Sequence, residues 1–175
     1  LDDYTPLRQV TQEMLVNGSV LFPVRDAPWY VERNPLGCSG NGCKASQGDS
    51  FWTALNPPFG AVFTYYLAEE IKSSKDARRE VEKEKEKNNQ DVVAASWDTV
   101  IAESREDAPS IVFTVRNADG DVVRQVDGPA TAGFNRVAWN LRLPSTEPWG
   151  TEPSWFDDEG AKGVLVVPGR YTVDM

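Results

Sequence analysis

Three phrases of this chain set a turn former directly in front of alternating apolar residues, and the stretches between them differ in character. The first is Asn56-Pro57-Pro58-Phe59-Gly60, running into Ala61-Val62-Phe63-Thr64-Tyr65-Tyr66-Leu67. The second spans 111–143, with Gly133-Phe134-Asn135-Arg136-Val137-Ala138-Trp139-Asn140-Leu141-Arg142 at its centre, and the third is Pro168-Gly169-Arg170-Tyr171-Thr172-Val173. Pro cannot donate to a β-ladder and Gly opens a turn, so each phrase reads as a strand with a defined entry. Their alternation predicts one antiparallel β-sandwich. None of the three carries a nucleophile next to a base, which points to an accessory domain rather than an active site.

Length and charge narrow the choice further. A chain of 175 residues with 40% hydrophobic and 10% aromatic content can build one cored domain with appendages. The formal net charge of −9 argues against a nucleic-acid or anionic-membrane surface, which needs clustered Lys and Arg. No stretch approaches the roughly 20 apolar residues of a membrane-spanning helix, so no membrane insertion is expected. His is absent, which removes Ser-His-Asp and Cys-His catalysis and most zinc sites unless a neighbouring domain supplies the imidazole. No cofactor is expected. The chain opens on Leu1 and ends at Met175 inside a strand-like run, the expectation being a piece cut from something longer. Targeting signals therefore do not give its compartment.

Cys38 and Cys43 sit in Cys-Ser-Gly-Asn-Gly-Cys, a loop flexible enough to close a disulfide. A free pair is the alternative, and two Cys alone cannot make a four-ligand zinc site. A disulfide favours an extracytoplasmic setting, periplasmic or secreted.

Residues 1–50 read as a linker or anchoring segment and 51–175 as the sandwich, with a helical insertion over about 68–109. Leu7, Val10, Met14 and Leu15 recur at helical spacing over 6–16. A short strand at 19–22 stops at Pro23. Residues 25–50 mix Pro, Gly, Asn, Ser and aromatics without periodicity, an ordered loop expected to lie along a partner surface with Trp29 and Tyr30 as anchors. Within 60–67 both faces are apolar or aromatic, so that strand should be covered on both sides.

The insertion changes register abruptly. Residues 68–89 predict a helix with a thin apolar stripe at Ile71, Ala77 and Val81, stabilised by charge pairs at i, i+3 and i, i+4 and ended by Asn88-Asn89. Its bland reading is a solvated projecting helix, its functional one a partner-binding helix. A second helix is expected over 96–105, capped by Ser96, with Trp97, Val100 and Ile101 on one face pinning the insertion to the sandwich. Pro109 stops it.

Residues 111–126 predict a β-hairpin around Asn117-Ala118-Asp119-Gly120, with positive φ at Gly120 and a side-chain cap from Asp119. Asn117, Asp119 and Asp121 lack the further carboxylates and distal bidentate Glu of a calcium loop, so the turn reading wins and no metal is expected. Asp127-Gly128-Pro129 is expected to turn the chain. In the strand at 134–142, Val137, Trp139 and Leu141 should face the core. Residues 144–163 form a second irregular excursion, where Trp149, Trp155 and Phe156 could stack on sugar rings or cover one end of the sandwich. Pro168-Gly169 reads as a type II turn.

The order of these phrases resembles a recurrent C-terminal region of large bacterial secreted proteins with sialidase-type (BNR) or sortilin-like β-propeller repeats, often labelled glycosyl hydrolase by similarity. The matching residues are Asp2-Asp3 with Thr5-Pro6-Leu7-Arg8-Gln9, then Leu21-Phe22-Pro23, Asn56-Pro57-Pro58 with Gly60-Ala61, and Tyr65-Tyr66-Leu67. They continue with Ser96-Trp97-Asp98, Ala102-Glu103, Asp119-Gly120 with Val122-Val123-Arg124, Gly133 with Asn135-Arg136-Val137, Trp139-Asn140-Leu141-Arg142, and Pro168-Gly169 with Tyr171-Thr172-Val173. No single motif is specific; their order is, and it covers nearly the whole chain. The hairpin, tryptophan strand and final Pro-Gly-x-Tyr also look like the immunoglobulin-like module of flagellar hook-capping proteins. That likeness implies a mainly β, immunoglobulin/fibronectin-like antiparallel sandwich. The family region has no assigned catalytic residues to carry over. Asn140 stands where the family has Asp, and the cysteine loop and the acidic stretch 147–159 look like additions. In such proteins one more strand usually follows Tyr-Thr-Val, so the sheet here is expected to be one partner short.

The reading that follows is a non-catalytic accessory sandwich packed on a preceding propeller of the same chain, with Leu7, Phe22, Trp29 and Tyr30 as the interdomain contacts. A carbohydrate-binding module is the alternative, needing Trp149, Trp155 or Trp52 exposed and coplanar. Last comes a glycosidase built on Asp157, Asp158 and Glu159 with Glu103 or Asp98.

Overall fold

The computed structural model describes residues 4–16, 18–31, 37, 44, 48, 50–52, 54–146 and 163–175. In chain order these give a 3-10 turn Pro6–Gln9, helix α1 Gln12–Val16, strand β1 Ser19–Leu21, strand β2 Ala61–Leu67, helix α2 Ser74–Lys87 and helix α3 Trp97–Arg105. Strands β3 Ser110–Arg116, β4 Val122–Pro129, β5 Gly133–Trp139 and β6 Thr172–Asp174 follow. They form two antiparallel three-stranded sheets, β1-β2-β5 and β4-β3-β6, so the chain is mainly β and sandwich-like.

Strand β2 is the keel of the first sheet. It pairs along its whole length with β5, from Ala61 opposite Trp139 to Leu67 opposite Gly133, and on its other edge with β1. Its alternate residues Ala61, Phe63, Tyr65 and Leu67 point between the sheets and meet Phe113 and Val115 of β3 and Trp139 of β5 in one buried cluster. Its other face is covered too: Thr64 is buried, and Tyr66 and Phe22 both pack on the Phe134 ring, at centroid distances of 5.1 and 6.0 Å. Both faces of the 60–67 stretch are thus covered, as its composition predicts.

Gly60 shows why the entry to β2 needs its sequence. It sits at φ +107°, and a Cβ there would lie 1.9 Å from the Trp139 carbonyl oxygen. Only glycine fits both the backbone and the close approach of β5. Val137, Trp139 and Leu141 pack inward as expected. The chain before residue 50 contributes structure of its own, because β1 is an edge strand and Val24 and Ala27 pack against the core cluster.

Several local expectations are corrected. The helix expected over 6–16 is broken at Val10, which is extended (φ −67°, ψ 124°). Thr11 restarts it, its hydroxyl accepting the Met14 N–H at 3.3 Å, an N-cap that a continuous helix would bury in its interior. Helix α2 begins at Ser74, not at 68, because Ser73 caps it by accepting the Asp76 N–H at 3.1 Å. It ends at Asn88-Asn89 as anticipated. Asp127-Gly128-Pro129 does not turn the chain but stays in β4, paired with 110–112. In the hairpin turn Gly120 has positive φ, but the cap is Asn117, whose Oδ1 accepts the N–H groups of Asp119 and Asp121 at 3.0 and 2.8 Å. Gly169 lacks the positive φ of a type II turn; the bend is held by the Tyr171 hydroxyl, which donates to the Val167 carbonyl at 2.6 Å.

Two substitutions separate core from turn chemistry. Phe113→Ala should cost ~3–5 kcal/mol of unfolding free energy, and Gly60→Ala ~2 kcal/mol or more from the left-handed backbone and the clash together. Urea unfolding followed by circular dichroism measures both.

Candidate functional site

Glu103 projects from α3 onto α2, where Arg78 grips both its oxygens, Nε at 2.6 Å and Nη2 at 2.7 Å. The third donor of Arg78, Nη1, goes to Glu82 at 2.6 Å. The Arg78 hydrogen bonds hold the Glu103 carboxyl below the usual carboxylate range, with the charges of Arg78, Lys75 and Arg79 adding to the effect. A glycosidase acid needs the opposite, a carboxyl whose pKa is raised so that it keeps its proton. The ionised partner carboxylate must in turn be open to substrate, whereas both Glu103 oxygens are taken by Arg78 and its side chain is 6% exposed. Glu103 is thus placed as a structural anion; Asp98 lies in the first turn of α3 beside the N-terminal dipole. Asp157, Asp158 and Glu159 lie outside the described residues.

Among the described residues no group of three or more metal-ligating side chains converges. A cleft of about 600 Å³ runs between α2 and the chain at 130–131. Its walls alternate in sign, Arg79, Lys83 and Lys87 against Glu80 and Glu84, and Lys72 pairs with Glu80 across it. Its cations are matched by neighbouring anions, so it selects no ligand charge.

The residues expected to touch a partner divide sharply. Phe22 is 1% exposed and spends its ring inside this domain, against Phe134. Directly after β1, the Phe22 N–H bonds the Thr64 carbonyl at 3.0 Å, which sets its side chain in the interior and not at the surface. Leu7 is exposed in the 3-10 turn. Trp29 is 66% exposed, and its neighbour Tyr30 is fastened in place: the Tyr30 ring lies 5.5 Å from that of Phe59, and its hydroxyl donates to the Pro57 carbonyl. The loop is tied to the Pro57-Pro58-Phe59 entry of β2 through Tyr30, while Trp29 stays exposed. Phe51, Leu55 and Val31 are exposed as well, and Trp52 is 81% exposed. The disulfide candidates Cys38 and Cys43 and the sugar-platform candidates Trp149, Trp155 and Phe156 lie outside the described residues.

The face expected to pin the insertion does not do so. Trp97 is 82% exposed, with Val100 and Ile101 also exposed. Helical spacing identified a common face but not the direction it takes, which Glu103 decides by turning toward Arg78. Sequence reading missed that pair, whose members are 25 residues apart, and also Glu106, which accepts the Ser74 N–H at 2.9 and 3.1 Å. The nearest available signal was Arg78 at i, i+4 to Glu82, a pair that is real but only half of the arrangement.

Comparison of the chain with models of known protein families, with characterised proteins and with solved structures gave no match. As a check on the insertion, Trp97→Ala should change the unfolding free energy by no more than ~0.5 kcal/mol, the scale of an exposed site, in the same urea experiment.

Proposed function

We propose that this chain is a non-catalytic accessory sandwich of immunoglobulin/fibronectin type, which packs against a neighbouring domain of the same secreted polypeptide and serves a structural or protein-interaction role. The observation that carries it is Trp29, a large aromatic held out at the surface by a loop whose adjacent Tyr30 is locked onto Phe59 and Pro57. Exposed Trp on a rigid support is the side chain that interfaces use most heavily, since it buries much area at little entropic cost.

Two features support the immunoglobulin-type assignment. The first, second and fifth strands share one sheet, as strands A, B and E do, and the fourth, third and sixth share the other, in the order C′-C-F. Tyr171 lies just before the sixth strand and its hydroxyl reaches back four residues to Val167, the geometry of a tyrosine corner. The neighbour suggested by the sequence resemblance is a β-propeller, with Leu7, Trp29 and Tyr30 as the contact residues. An extracytoplasmic location goes with that reading.

Trp29→Ala tests it in two settings. In the isolated chain the melting temperature should shift by no more than about 2 °C, because an exposed ring contributes little to folding. In the full-length polypeptide the same change should speed proteolysis at the domain junction several-fold. An unchanged junction would sink the proposal. The exposed Trp52 keeps a carbohydrate module as the second reading, and a glycan array reads it out directly. Sugar binding abolished by Trp52→Ala would replace the accessory role with a sugar-binding one.

A further inference from the structure

We propose that the helical insertion is an electrostatically latched arm, in which α3 docks on α2 through the Arg78–Glu103 pair and the Glu106 cap and is released on acidification while the sandwich stays folded. Neither helix contains a buried residue. Val81, Val100, Ile101 and Trp97 are all exposed, so no apolar core holds the two helices together. What joins them is charge. The Glu103 side chain is only 6% exposed despite its place on a surface arm, and it is enclosed by the guanidinium that grips it. A bidentate, charge-assisted pair of this kind is the strong form of a side-chain hydrogen bond and fixes orientation as well as distance.

The second clasp lies one turn from the first, at the open end of the pair where α2 begins and α3 ends. Glu106 follows the last residue of α3, and its carboxylate accepts both the N–H and the hydroxyl of Ser74, the first residue of α2, the latter at 3.2 Å. An anion at a helix N-terminus satisfies orphan N–H groups and faces the positive end of the dipole. The two clasps thus position α3 at two points along α2, with the loop 88–96 closing the hairpin.

The charged groups around the latch set its pH response. On α2 Arg78, Lys75 and Arg79 favour the ionised form of Glu103, while Glu82 shares Arg78, and Asp76 sits beside Ser73 at the Glu106 clasp. Because the folded state depresses the Glu103 pKa, its stabilising contribution is present above the unfolded value of roughly 4.3. That contribution is lost as pH falls through the lower folded value. The core cluster of Ala61, Phe63, Tyr65, Leu67, Phe113, Val115 and Trp139 contains no carboxylate and does not share this response. A helix of nine residues is marginal alone in water, so α3 should lose its structure when the latch opens.

Amide hydrogen exchange on the 175-residue chain, read residue by residue by NMR between pH 7 and pH 3, tests the latch. Protection factors over the last turn of α3 should fall about tenfold or more across the acid limb while those of β2 and β3 persist. Glu103→Gln should bring the same loss at pH 7 and flatten the pH dependence, and Arg78→Lys, which keeps the charge without the fork, should fall between it and the parent. The proposal is overturned if α3 and the sheets lose protection together, or if Glu103→Gln leaves α3 protection at its parent value.

Discussion

Phe63 and Tyr65 of β2 both pack on Phe113 of β3 to join the two sheets, and the Tyr65 contact also solves a polar problem. Tyr65 of β2 lies with its ring 4.9 Å from that of Phe113 in β3, and both are fully buried. A buried phenol needs a partner, and Tyr65 finds it across the sandwich in the Pro129 carbonyl at 2.5 Å. The residue next to that carbonyl is Gly128, where a Cβ would lie 2.7 Å from the Tyr65 hydroxyl oxygen and 2.9 Å from the Phe113 ring. The pair of sheets can therefore close only if β4 carries no side chain at that point. Burial also raises the Tyr65 pKa, so the hydroxyl stays a donor at any physiological pH. Strand pairing, the β4 terminus and the inward face of β2 all follow from placing this one side chain.

What was legible in the sequence was whatever local spacing decides. The two-sided apolar run of β2, the hairpin around Gly120, the inward set Val137, Trp139 and Leu141, and the Ser96 cap depend on residues a few positions apart. Misreadings arose where a distant partner outvoted local preference. Asp127-Gly128-Pro129 has the composition of a turn, yet it stays in the ladder because Tyr65, 64 residues from Pro129, needs that carbonyl. The apolar residues of α3 sit outward because Glu103 rather than Trp97 faces α2. Thr11 and Ser73 are a different case, since both were available as cap residues and a continuous periodic pattern masked them. For the candidate site, Trp29 and Tyr30 could be singled out by composition, but only the Tyr30 contacts distinguish the side chain that is held from the one that is offered.

Two kinds of cohesion thus divide the molecule. The sandwich is held by interdigitated aromatics removed from water, a non-directional force insensitive to ionisation. The insertion is held by directional, charge-dependent bonds with its apolar groups left in solvent. The two parts are connected at the strap 68–73, where the Ile71 N–H bonds the Ala130 carbonyl at 3.0 Å and Lys72 reaches Glu80. Such a division lets the arm change state with little effect on the core, because no buried side chain is common to both.

The same division bears on how the Trp29 surface is presented. Phe22 is buried, Val24 and Ala27 pack on the core cluster, and Tyr30 is fixed to Phe59, so the chain is held on both sides of Trp29. An anchor whose support is already ordered loses little conformational freedom when a partner covers it, and that cost is the term that most often erodes interface affinity. The burial of Phe22 removes it from the proposed contact face but helps to fix the chain that carries Trp29. It follows that residues 22–30 do two jobs, Phe22, Val24 and Ala27 completing the sandwich and Trp29 left for whatever lies beside it.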